Sequence, residues 1–83
     1  MEFKISSKSN PKKIAGAIIS ALKDAPSVTL NAIGASAVNQ AVKAAAVARR
    51  HSPQEIIFYP EFADGFVEGR SLTIIQITVE KTA

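Results

Sequence analysis

Between residues 2 and 51 the hydrophobic pattern twice switches from period two to a helical period. Each switch predicts a strand followed by a helix. Glu2, Phe3, Lys4, Ile5 and Ser6 alternate as a short, half-buried strand. Asn10-Pro11 then opens a helix. Asparagine caps with its side-chain oxygen, and proline fits the first helical position because its missing N–H would be unpaired there. Ile14, Ala17, Ile18, Ala21 and Leu22 form the predicted core stripe, with Lys12, Gly16, Ser20 and Lys23 opposite, and Asp24-Ala25-Pro26 ends the helix. Val28–Ile33 reads as the second strand. Gly34-Ala35-Ser36 is a tight connection, with Ser36 as the expected cap of a helix from about Ala37 to His51. The expected stripe of that helix is Val38, Ala41, Val42, Ala45 and Ala48. Its six alanines between Ala37 and Ala48 give shallow faces that allow close packing. Ser52-Pro53 stops it.

The rest of the chain reads as two strands joined by a hairpin. Glu55–Phe62 is the third predicted strand, and Pro60 places it at an edge or a bulge because proline cannot donate to a ladder. Ala63–Arg70, with Gly65 and Gly69, reads as a hairpin loop. Ser71–Glu80 is the fourth strand, with Thr73, Ile75, Ile77 and Val79 on one face and Leu72 and Ile74 on the other. The order β-α-β-α-β-β predicts an α+β two-layer fold. Right-handed parallel βαβ units put two helices on one face of a four-stranded mixed sheet. Both helix N-termini then lie at one end of the sheet. If the third strand runs parallel to the first two, the hairpin tip joins them on the same rim.

The chain has 83 residues, 47% hydrophobic and 20% charged, which fits one globular domain spanning 1–83. A domain of this size buries a limited core, so a homodimer or higher homo-oligomer is expected. The absence of cysteine removes disulfides, thiolate metal sites and thiol catalysis. No apolar run approaches a membrane span, and residues 1–13 hold no signal-peptide core, so a cytoplasmic protein is expected. His51, the only histidine, is a helix-end surface residue in this reading rather than a metal ligand or base. The glycine pattern of Gly34-Ala35-Ser36 matches no nucleotide-binding loop. Neither an enzyme nor a cofactor is expected.

Net charge is +3, and its excess lies near the N-terminus, where Lys4, Lys8, Lys12, Lys13 and Lys23 fall in a stretch without an acid. A one-sided basic region points to a polyanion. Lys12 and Lys13 sit at the positive end of a helix dipole, where cations cost about 0.3–1 kcal/mol each. Unpaired N–H groups at the same rim suit phosphate. Lys8, Lys12 and Lys13 are therefore the first candidates for phosphate contact. Ser36, Asn39, Lys43 and Arg70 are further nucleic-acid candidates. Asn39 and Gln40 suit base edges, a 2′-hydroxyl or plain helix-surface polarity; Lys43 suits a phosphate or a solvated face. Arg49 and Arg50 read as complements of a helix C-terminus. Phe66, Val67, Leu72 and Ile74 look under-buried for a monomer and form the expected interface, with tucking onto the sheet as the competing reading.

The run from Ala32-Ile33-Gly34-Ala35-Ser36-Ala37-Val38-Asn39-Gln40-Ala41-Val42-Lys43-Ala44 to Ala48-Arg49 resembles the stage V sporulation protein S family. So do Lys8-Ser9-Asn10-Pro11, Ile14-Ala15-Gly16-Ala17 and Tyr59-Pro60-Glu61-Phe62. These small bacterial regulators, linked to spore formation, are similar in topology to Alba, a small archaeal chromatin protein. The resemblance implies an Alba-like fold, dimers and nucleic-acid binding. Alba's contacts come from lysines leading into the first helix, which Lys8, Lys12 and Lys13 match by position, and from a long basic hairpin reaching the minor groove. Here the hairpin departs, since Asp64 and Glu68 stand against Arg70 alone in a short loop. The family also carries a second glycine where this chain has Ser36. Together these readings predict a small nucleic-acid-binding regulator with little sequence preference, on DNA more than RNA. The competing expectation is a protein–protein regulator whose lysines only solubilise.

Overall fold

The computed structural model describes residues 1–82. The elements are β1 (Glu2–Ile5), α1 (Pro11–Ala21), β2 (Ser27–Ala32), α2 (Ala35–His51), β3 (Ile56–Val67) and β4 (Arg70–Lys81). The order β-α-β-α-β-β is as read from the sequence. The sheet runs β1-β2-β4-β3, with β1 and β2 parallel and β4 antiparallel to both β2 and β3. It follows that β3 is parallel to β1 and β2. The β3–β4 turn therefore lies at the end of the sheet where α1 and α2 begin.

The two helices cover one face. Val28, Leu30 and Ala32 of β2, with Ile77 and Val79 of β4, point into the core beneath Ile18, Leu22 and the buried alanines of α2. Among the described residues no helix is long and apolar enough to cross a membrane. Both helices are rotated from their predicted stripes. In α1 the buried positions are Ala15 and Ile18, while Ala17 is exposed. In α2 they are Ala37, Ala41, Ala44, Ala45 and Ala48; Val38 is half-buried, and Val42 keeps 41% of its surface. The physical reason is proximity. A methyl-lined face lets α2 seat close to the sheet and to α1, where the valines would hold it off.

The largest departure is in the hairpin. Residues 63–70, read as a loop, are almost all strand, and only Glu68 and Gly69 make the turn. Both have positive φ, 52° and 76°. That is the type I′ geometry whose twist matches the flanking strands. Gly65 is no loop marker either. A Cβ there would lie 3.1 Å from Ile74 Cγ2, so the glycine makes room for the isoleucine across the ladder. Glu68 is a poor residue for a left-handed position, whereas asparagine is tolerated there. Glu68→Asn should raise stability by up to about 1 kcal/mol in chemical denaturation. A loss of stability would mean that this turn is not what closes the hairpin.

The hairpin outruns the sheet. Ile5 of β1, Ala32 of β2, Ile75 of β4 and Phe62 of β3 lie in one row. Beyond that row, residues 63–67 and 70–74 pair only with each other, as a free ribbon extending about 16 Å. Pro60 sits on edge strand β3 without a bulge. The Thr82 N–H donates to Glu55 O at 3.1 Å, which sets the ladder's alternation. By that alternation the Pro60 nitrogen faces outward, where no donor is needed.

Candidate nucleic-acid interface

The loop into α1 is held by its own serines. Ser6 N donates to Ser9 Oγ at 2.9 Å, Ser9 N to Ser6 O at 3.1 Å and Lys8 N to Ser6 Oγ at 3.2 Å. Asn10 caps α1 as its sequence position predicts, its Oδ1 accepting from Lys12 N at 3.0 Å and Lys13 N at 3.3 Å. One long-range bond fixes this loop to the second helix, with Gln40 Nε2 donating to Ser9 O at 2.9 Å. The Gln40 amide, left open between base contact and surface polarity, is thus engaged within the chain.

That tether shapes a groove lined by Lys8, Lys12, Gln40 and Lys43, with Ala46 and Val47 at its far end. Three of the lysines selected from sequence therefore converge. Lys13 is exposed on α1 outside this groove. Asn39 lines a different hollow, on the hairpin side of α2, with Val38, Val42 and Phe62. Arg70 stands apart, beside the turn of the free ribbon.

The cap of α2 corrects the sequence reading. Gly34, not Ser36, is the N-cap, with φ of 88° and no side-chain hydrogen bond to the helix. Only glycine takes that conformation at little cost. Ser36 instead lies exposed within the first turn. No side chain caps the opening amides of α2, in contrast to those of α1, and no acid lies in its first turn. Such a terminus favours an anion.

The hairpin residues divide. Phe66 is 76% exposed and Val67 is exposed too, but Leu72 is half-buried and Ile74 keeps only 8% of its surface. Ile74 tucks over Gly65, the competing reading for that residue. Phe62, 78% exposed, and Val42 were not among the expected interface residues. Val42 could have been found by weighing the alanines of α2 as its buried face. Phe62 could not, because nothing local to it says that α2 leaves a hollow beside it.

Charge divides between the two layers. Lys8, Lys12, Lys13 and Lys23 belong to α1 and its flanking turns, and Lys43, Arg49 and Arg50 to α2. Against these seven cations the helical layer has one carboxylate, Asp24. The other six carboxylates lie on the sheet, its hairpin or the residue leading into β3, with only Lys4, Arg70 and Lys81 to offset them. Tyr59 feels that excess. Desolvation, then the neighbouring Glu80 and, more weakly, Glu61, push its pKa above the ordinary value, and its hydroxyl donates to Glu80 Oε2 at 3.3 Å.

Among solved structures, Alba from Thermoplasma volcanium superposes with a TM-score of 0.60, covering 98% of this chain and all of that one at 19% identity. The likeness establishes an Alba-like fold. The family description Stage V sporulation protein S (SpoVS) matches residues 1–82. A match over nearly the whole chain, joined to the Alba-like fold, makes this protein a member of the stage V sporulation protein S family.

Proposed function

We propose that this chain binds nucleic acid by neutralising phosphates, with little reading of base sequence, and favours duplex DNA over RNA and single strands. The observation that carries the reading is the groove of Lys8, Lys12 and Lys43, held together by the Gln40–Ser9 bond. The uncapped amides of α2 begin at the same end of the fold and add a partial positive charge. None of the five aromatic side chains lines this groove, so stacking on single-stranded bases has no support. The test is fluorescence anisotropy of labelled duplex DNA, duplex RNA and single strands over a salt series. Log affinity should fall linearly with log salt, and duplex DNA should bind most tightly. No binding to any of them at low salt would overturn the reading.

The same reading includes a homodimer. Phe62, at the base of the ribbon, and Phe66, on it, leave most of their surface in water. Covering each ring is worth about 1.5–3 kcal/mol. Phe62→Ser with Phe66→Ser should shift the protein to a monomer in sedimentation equilibrium without changing its secondary structure. A parent protein that is already monomeric at high concentration would sink this part.

A further inference from the structure

The sequence assigns Arg49 and Arg50 to the dipole of α2, and both do lie exposed in its last turn. Their surroundings point to a larger role. Lys43 and Arg50 are seven residues apart in α2, two turns along one face, and so about 10.5 Å from each other. A duplex carries a phosphate on each strand about every 3.4 Å along its axis, so a span of that length meets more than one phosphate. Between them the exposed ridge carries Ala46, whose methyl lets a polymer backbone lie close. Ala46 lines the groove of Lys8, Lys12 and Lys43, and also lines a second hollow with Arg49, Arg50 and Phe58. The two hollows therefore meet at one residue. Neither helix contains a carboxylate to interrupt the path. The opposite route, out along the hairpin, offers Arg70 against Glu61, Asp64 and Glu68.

Resting on the nucleic-acid reading above, we propose that Arg49 and Arg50 form a second phosphate-backbone site. The nucleic acid then lies along α2, over the helical layer, from the loop lysines toward the end of the helix. It does not follow the hairpin. The ligand chemistry is the phosphodiester backbone, met by exposed guanidinium groups that fit phosphate oxygens in pairs.

The experiment compares Arg49→Ala/Arg50→Ala with Lys4→Ala/Lys81→Ala, which removes the same charge from the sheet. Labelled duplex DNA is titrated with each full-length protein across a salt series. Alanine suits a helix end, and circular dichroism verifies the fold. A third protein, Arg49→Lys/Arg50→Lys, keeps the charge. The expected result is a fall of about 1.8 in the slope of log affinity against log salt for the first variant, at about 0.9 per phosphate. Affinity near physiological salt should drop on the order of tenfold, while the sheet variant and the lysine variant keep the parent's slope. An unchanged slope in Arg49→Ala/Arg50→Ala overturns the proposal, as does an equal loss in the sheet variant. Either outcome leaves the lysine groove standing if its own variant still loses binding. Absence of DNA binding by the parent would overturn both.

Discussion

Replacing Lys8, Lys12 and Lys13 together with glutamate should abolish nucleic-acid binding while leaving the fold as stable as before, or more so. The two halves of this result have separate causes. Three reversals take the net charge from +3 to −3, with the change concentrated at the loop into α1 and the helix's first turn. Each lost phosphate contact removes about 0.9 from the salt slope, and the new carboxylates repel the backbone as well. A loss beyond about a hundredfold near physiological salt follows from losing the Lys8 and Lys12 contacts while three carboxylates repel the backbone. Stability moves the other way. Lys12 and Lys13 are the second and third residues of α1, where cations oppose the helix dipole. Glutamate there should gain about 0.3–1 kcal/mol per position. The cap is unaffected, because Asn10 binds the backbone amides of residues 12 and 13, not their side chains. Anisotropy and thermal melting read the two halves independently. Retained binding in a well-folded triple variant would mean that these lysines only solubilise the surface. Lost binding together with lost structure would contradict the dipole argument.

What was legible in the sequence follows from how local each signal is. The cap at Asn10-Pro11 depends on residues a few positions apart, and it stands as read. The element order came from changes of period, and Pro60 marked its strand as an edge or a bulged one, of which the edge holds. The parallel direction of β3 could be posed only as a condition, because it depends on which neighbour β4 chooses. Three readings failed, two of them because the deciding contacts are made by residues outside the local pattern. Gly65 signalled a loop until Ile74, nine residues on, filled the space above it. Ser36 looked like a cap, but the turn out of β2 gave that place to Gly34. The faces of α2 were read by hydrophobicity, and they were set by how closely the helix must approach its neighbours. Within the candidate site, the basic loop could be placed from sequence. The Gln40–Ser9 tether, which brings Lys43 to Lys8, spans 31 residues and had no local signal.

The layers also separate what the fold can contact. A helical layer rich in cations and a sheet rich in carboxylates cannot serve the same partner equally well. The free ribbon belongs with the sheet. It carries Asp64 and Glu68 against Arg70, and its Phe66 is exposed. Fold similarity at 19% identity fixes the path of the backbone and leaves the chemistry of the arm to this chain's own residues.

The orientation of α2 gives the sharpest test of the core. Ala44 was read as lying off the core stripe and Val42 as part of it; the structure reverses them, with Ala44 fully buried and Val42 exposed. Ala44→Leu should therefore be severely destabilising. It adds three carbons where the helix has seated on methyl groups, and such overpacking costs about 1–3 kcal/mol or more when the backbone must shift. In a domain of this size, whose total stability is on the order of 5–10 kcal/mol, that lowers the melting midpoint by roughly 4–20 °C. Val42→Ser, a polar change at a position that a buried stripe would not tolerate, should move stability by less than about 0.5 kcal/mol, apart from a small loss of helix propensity. The helix sits by its alanines if the leucine variant melts early and the serine variant does not. The reverse order in chemical denaturation would place Val42 inward and return α2 to the face its hydrophobicity predicts. A loss in the serine variant that vanishes on dilution would instead assign Val42 to the proposed dimer contact beside Phe62, with which it shares a hollow.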